Sequence, residues 1–198
     1  MKKRSLHFFI LCVIAIALGC KSKTDKQSGT TVEPVNDTAK FYPVNVFINT
    51  DIDSVSKSAF TIIKTVTVDK QKTDSVAISI DEFKKLAAPF LQKDITQPPL
   101  KKWYKESIFR HLNTNSIIFN YTTPNKDLEV QGIDVNVEDN TNNLNRVDMR
   151  VFTFKNDSSI KENYTWVYGK KFYVAKYAEG KDGKGVASTI EVSWQKNK

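Results

Sequence analysis

The stretch Lys161-Glu162-Asn163-Tyr164-Thr165-Trp166-Val167-Tyr168-Gly169-Lys170-Lys171-Phe172-Tyr173-Val174-Ala175-Lys176-Tyr177 decides the fold. Its two arms are rich in β-branched and aromatic residues, which suit a pleated, half-buried surface. Gly169-Lys170 divides the arms, and as a two-residue Gly-X loop it makes the segment a hairpin of set register. That register pairs Val167 with Phe172, Trp166 with Tyr173 and Thr165 with Val174. Side chains alternate across a strand, so Thr165, Val167, Phe172 and Val174 are expected on one face and Tyr164, Trp166, Tyr168 and Tyr173 on the other. A solvated sheet face carries polar residues, so the aromatic side is either covered core or an amphipathic shelf. Tyr164, Trp166, Tyr168 and Tyr173 are the candidate binding shelf, of a kind that stacks on a sugar ring, a peptide or a partner protein.

Working outward, strand follows strand. Ser107 to Leu112 and Ser116 to Thr122 flank Asn113-Thr114-Asn115, Leu128 to Glu138 follows Pro124-Asn125-Lys126-Asp127, and Leu144 to Phe154 follows an Asn-rich loop. Gly132 marks a bulge, because the apolar positions change phase from Leu128 and Val130 to Ile133, Val135 and Val137. Ala187 to Trp194 closes the sheet. The short connections imply antiparallel pairing.

Toward the N-terminus the period changes. Pro43 suits a first helical turn, and Val44, Phe47, Ile48, Ile52 and Val55 follow at helical spacing. Phe60 to Val68 and Ser75 to Ile80 alternate around Asp69-Lys70-Gln71-Lys72, as a hairpin does. Ser79-Ile80-Asp81-Glu82 then has the spacing of a capping box, with Phe83, Leu86, Ala87 and Phe90 on one helical face. Pro89 is expected to kink or end that helix, and Pro98-Pro99 to precede a helical turn at Leu100 to Tyr104. The fold class is therefore α+β: a meandering antiparallel sheet of about seven to nine strands packed by two or three N-terminal helices.

Residues 1–40 read differently. Lys2, Lys3 and Arg4 precede an apolar run of eleven residues, Phe8 to Leu18. This is the layout of a secretory signal peptide, and it is short of the roughly 20 residues that span a bilayer. The run ends in Ala17-Leu18-Gly19-Cys20, which resembles the lipobox of bacterial lipoproteins. In that family a small residue precedes a cysteine that is diacylated before cleavage on its amino side. The resemblance covers the targeting segment alone and implies that Cys20 is a lipid anchor and the mature N-terminus. Two lipid chains suffice for stable attachment. Ala17 stands where the family usually has Leu, and Ala15-Ile16-Ala17 is an alternative cleavage site that would release a soluble protein beginning at Leu18, secreted or periplasmic. Lys21 and Ser22 stand where the family places an inner-membrane retention Asp, so the resemblance implies outer-membrane placement.

The organisation expected is a leader over 1–19, a lipid-anchored tether over 20–40 and one domain over 41–198. The tether is polar and cannot bury enough surface to repay ordering. The domain is long enough to hold a core without staples.

The full chain of 198 residues carries 30 Lys plus Arg against 22 Asp plus Glu, a net +8 that falls to +5 once the leader is removed. Beyond the leader the arginines are Arg110, Arg146 and Arg150 only. So few planar forks, in an exported chain, argue against nucleic acid as a partner. Cys12 and Cys20 are the only cysteines and His111 the only histidine after His7, which removes disulfide frameworks and Cys- or His-based metal sites from the domain. No cofactor is implied. Asp134, Asn136, Glu138, Asp139 and Asn140 to Asn143 offer oxygens to calcium, but without EF-hand spacing they read as turn residues. Asp51 and Asp53 read as solvated surface or a fraying helix end, and His111 as a structural or surface residue. Glu179 to Gly185 fails the phosphate-loop spacing and reads as a hairpin tip.

No nucleophile–base arrangement appears. The function expected is a non-enzymatic, lipid-anchored envelope lipoprotein that binds a protein, glycan or lipid-like ligand. The alternatives are a structural subunit of an envelope complex and a hydrolase with a spatially assembled carboxylate site.

Overall fold

The architecture is taken from a computed structural model that describes residues 40–155, 158–183 and 185–196. The leader, Cys20 and almost all of the tether lie outside the described residues. Within them, the helices are α1 (Val44–Lys57), α2 (Ile80–Gln92) and α3 (Pro98–Lys101). The strands are β1 (Phe60–Val68), β2 (Gln71–Ala77), β3 (Lys105–His111), β4 (Ser116–Thr122), β5 (Val130–Glu138), β6 (Leu144–Lys155), β7 (Ser158–Val167), β8 (Lys171–Glu179) and β9 (Gly185–Lys196).

All nine strands form one antiparallel sheet in the order β2-β1-β9-β8-β7-β6-β5-β4-β3. Strands β3 to β9 are the expected meander. The N-terminal hairpin then adds to β9, so the last strand is interior rather than an edge. This puts β2 and β3 at opposite edges although only α2 and α3 separate them in sequence, and that link covers one face of the sheet.

The covered face holds the core. On it Ile62, Val192, Trp194, Phe172, Trp166, Val147, Met149, Ile133, Val135 and Tyr121 are buried beneath Val44, Ile48, Ile52 and Val55 of α1 and Phe83, Ala87 and Phe90 of α2. Phe90 meets Tyr164, Trp166 and Phe172 edge-on at 5.2–5.3 Å, and Phe83 meets Trp194 at 5.5 Å. Truncating a fully buried ring in such a cluster costs about 3–5 kcal/mol.

Local chemistry sets the helix and turn positions. Ser79 Oγ accepts the Glu82 amide at 3.2 Å and starts α2. The Glu82 carboxylate takes Lys64 of β1 at 2.5 Å, so a tertiary ion pair replaces the return half of a capping box. Pro89 lies inside α2, which continues to Gln92; its missing donor removes one bond without ending a helix whose flanks, Ala87 and Phe90, are packed in the core. The β1–β2 turn is tighter than the sequence implies. It is Asp69-Lys70 alone, with φ of 46° and 68°, the pair of positive angles a two-residue type I′ hairpin needs. The bulge at Gly132 is present as a register shift between Val130 and Gly132.

The decisive hairpin folds in a register one residue from expectation. Trp166 pairs with Phe172, Thr165 with Tyr173 and Val167 with Lys171. The loop has three residues, Tyr168 to Lys170. Lys170 N–H closes it on the Val167 carbonyl at 3.1 Å, and Gly169 takes φ 70° at the third position, where a type II turn needs it. Phe172 therefore joins Tyr164 and Trp166 in the core, and Tyr173 goes to the opposite face.

Candidate functional site

The expected shelf is not a surface. Trp166 is fully buried and Tyr164 is 7% exposed, both beneath Phe90 of α2. Tyr168 is half-buried in the turn with its ring edge-on to Phe47, and Tyr173 faces away from all three. Burial beneath the helices and the one-residue change of register together remove the arrangement.

What the second face carries instead is polar. Following cross-strand partners from β3 to β2 gives one lateral row: Ser107, Asn120, Asp134, Asp148, Thr165, Tyr173, Glu191, Thr65 and Ser75. Each member can accept a hydrogen bond, and the row crosses all nine strands. One step along each strand in the covered layer, the equivalent row contains Phe119, Val135, Val147, Trp166, Phe172 and Val192. The sheet is thus apolar toward the helices and polar on its other face, as an antiparallel sheet with one covered face permits; within the row most members are half-buried and Thr165 is only 2% exposed beneath its neighbours.

At the row's centre Asp134 and Asp148 stand directly opposite each other. Facing like charges destabilise a sheet unless compensated, and two arginines compensate them. Arg146 grips Asp148 with Nε at 2.6 Å and Nη2 at 2.7 Å, and its Nη2 also reaches the Tyr173 hydroxyl at 3.1 Å. The bonded Asp148 carboxylate holds the Arg146 guanidinium above its ordinary pKa. Arg150 pairs with Asp134, which also accepts from Asn120, and Thr165 donates to Asp148 at 2.6 Å. Gly132 has a role beyond its bulge: a Cβ there would collide with the Arg150 guanidinium, so the missing side chain lets Arg150 lie across β5.

Beside this cluster is a depression of about 440 Å³ lined by Phe109, Ile118, Asn120, Asp134, Asn136, Arg146 and Asp148. It offers carboxylate and amide acceptors, one guanidinium and an aromatic edge. All four carboxylate oxygens of Asp134 and Asp148 already have donors.

The other carboxylates of the Asn-rich segment are not assembled for a metal. Asp139 pairs with Arg110 at 3.1 Å and Glu138 accepts from Thr141 at 2.6 Å. Among the described residues no group of three or more His, Cys, Asp or Glu side chains could hold a metal ion. His111 is exposed at the end of edge strand β3.

Asp51 corrects the sequence reading. It is only 4% exposed, and its Oδ2 accepts Trp166 Nε1–H at 2.9 Å and Gly169 N–H at 2.8 Å. It ties α1 to the decisive hairpin. Burial pushes its carboxyl pKa up, partly offset by the two bonds. Its position was legible: Ile48, Asp51, Ile52 and Val55 share the i, i+3, i+4, i+7 stripe of α1, so an acid there faces the core.

Among the described residues no helix is long and apolar enough to cross a membrane. No protein-family model matches the sequence, and no curated protein matches it. Comparison with solved structures returns the S-type phycobiliprotein lyase CPES of Guillardia theta, 7% identical over 81% of this chain and 99% of that one, at a TM-score of 0.23.

Proposed function

We propose that this chain is an exported, non-enzymatic lipoprotein, anchored through acylated Cys20 on the outer membrane, whose open sheet face binds a glycan. The nine-strand polar row is the observation that carries the binding half of this reading. Strands recur every ~4.8 Å across a sheet, close to the length of one sugar residue in an extended chain. A row of acceptors at that spacing suits a ligand that presents hydroxyl donors at regular intervals. The depression beside it, with Phe109 and Ile118 next to Asn120, Asn136 and Asp148, supplies the mixture of apolar contact and fixed polar groups that orients a small ligand. The anchoring half rests on the leader and Cys20.

Titration calorimetry with soluble cell-wall oligosaccharides tests the binding. Asn120→Ala and Asp148→Asn should each weaken a measured affinity at least tenfold, while Lys57→Ala, on the far side of α1, should not. Affinity unchanged in both row variants, or no binding by the wild type, removes the glycan reading. Metabolic labelling with a fatty-acid analogue tests the anchor. Label that survives Cys20→Ala, or no label, removes that part.

A further inference from the structure

We infer that the α3 corner is a membrane-facing surface that lays the domain against anionic lipid headgroups. Lys101, Lys102 and Lys105 lie within five residues of one another, and among the described residues no carboxylate comes within 4 Å of their ammonium groups. Between them Trp103 is 45% exposed, an indole left in solvent by a fold that fully buries Trp166 and keeps Trp194 to 4%. Lys102 sits over the Trp103 ring at 5.4 Å. An exposed indole flanked by ammonium groups is the combination favoured at a bilayer interface, where the ring sits at headgroup level and the lysines reach anionic lipid.

The chain's own path supplies the second observation. Residue 40, exposed and cationic, is the first described residue, and the tether from Cys20 arrives there. Phe41 packs on Tyr121 with ring centroids 4.6 Å apart, and Lys101 Nζ lies 5.1 Å from the Phe41 ring centroid. The tether therefore enters the domain at the basic corner itself. The inference rests on the anchored reading of Cys20, because a tether from a membrane that ends at this corner brings it to the lipid first. The polar row lies on the face of the sheet away from α1 and α2, free of this contact.

The test uses the full chain, purified from a lipoprotein-processing bacterium and reconstituted into vesicles containing brominated phospholipid. One set is phosphatidylcholine alone and the other contains one part in four phosphatidylglycerol. The difference between wild type and Trp103→Phe isolates the exposed indole, since Trp166 and Trp194 are buried. Trp103 emission should be quenched at least twofold in anionic vesicles and little in neutral ones. High salt, or the combined Lys101→Glu, Lys102→Glu and Lys105→Glu variant, should restore it. Equal quenching in both sets, or none in the anionic set, overturns the inference. Intact mass read on the same sample reports acylation separately: a chain without acyl mass defeats the anchor, while the vesicle signal still judges the corner.

Discussion

Asp51→Ala should destabilise the fold by about 2–4 kcal/mol. The substitution leaves the buried Trp166 Nε1–H without its acceptor, and takes the same acceptor from Gly169 N–H in the exposed turn. A buried donor deprived of its partner costs about 1–3 kcal/mol. Trp166 Nε1–H is the one orphaned in the core; the half-buried bond from Gly169 N–H adds a net loss of about 0.5–1.5 kcal/mol, and removing a carboxylate whose charged form is penalised by burial returns part of the cost. Against a typical total stability of about 5–15 kcal/mol, urea denaturation followed by tryptophan emission should show a midpoint lower by about 1–4 M for an m-value near 1–2 kcal/mol/M. Asp51→Asn keeps an acceptor for both donors and should cost under about 1 kcal/mol. The pair also separates by pH. Because burial raises the Asp51 pKa, the folded state keeps a proton that the unfolded chain releases at its ordinary value near 4. The stabilisation from this group is fully present below that value and is lost as pH rises toward the raised one. Wild type should therefore lose stability relative to Asp51→Asn as pH rises through that window. Asp51→Ala within 0.5 kcal/mol of wild type, roughly the noise of a surface substitution, would refute the reasoning, as would an Asp51→Asn variant equally unstable as Asp51→Ala.

Gly132→Ala places a Cβ against the Arg150 guanidinium and 3.0 Å from the Tyr121 carbonyl. It should cost about 1–3 kcal/mol in urea titration, with part recovered in Gly132→Ala/Arg150→Ala; an unchanged midpoint contradicts the close approach. Ser79→Ala removes the side-chain acceptor that starts α2 and should cost about 1 kcal/mol, seen as a lower urea midpoint at constant m-value. Burial pushes the Tyr42, Tyr104 and Tyr164 phenols up to about 12. The fold then keeps protons that the unfolded chain releases near pH 10, so stability should fall as pH rises from 10 toward 12. Tyr104→Phe should leave the phenolate absorbance of the folded protein at about pH 10.5 unchanged, and a clear loss of signal would show that Tyr104 titrates normally.

Where local chemistry decides the structure, the sequence was readable. The apolar stripe of α1, the Ser79 cap, the Gly132 bulge and the run of antiparallel strands follow from periodicity and turn residues acting over a few positions. The misreadings arise where a distant part of the chain decides. Pro89 does not stop α2 because Ala87 and Phe90 are held by the sheet. The N-terminal hairpin docks on β9, a pairing between residues 120 or more positions apart, which no local pattern reports.

The site was hidden by a single residue of register. Taking Gly169-Lys170 as the whole loop puts Tyr173 with Trp166 and makes both faces of the hairpin look aromatic. With Tyr168 added to the loop, Tyr173 joins Thr165, and the polar alternation of Arg146-x-Asp148-x-Arg150 and Asp134-x-Asn136 continues across the hairpin. A slip of one exchanges every side chain between faces, so a lateral row can be assembled only after each strand is placed. Of the two readings left open for the aromatic face, covered core and shelf, the structure has the covered layer, and the polar row proposed for binding consists of residues that looked like ordinary solvated alternation.

The composition of that row still separates function from fold. A solvent-facing sheet row is satisfied by threonines or isolated charges, and no packing requirement puts Asp148 directly opposite Asp134. Facing like charges cost stability, and offsetting them here takes Arg146 and Arg150 at the positions flanking Asp148 together with a glycine at 132 that gives Arg150 room. Three positions are thus committed to keeping two carboxylates side by side, with Asn120 and Thr165 fixing their oxygens from the neighbouring strands. Exposed ion pairs contribute at most about 1 kcal/mol each, too little to account for the arrangement as a stabilising device. An array that gives the fold so little, and holds its acceptors so firmly, is the feature on which the proposed glycan binding rests, and Asp148→Asn, which removes the charge and keeps the shape, is the variant that judges it.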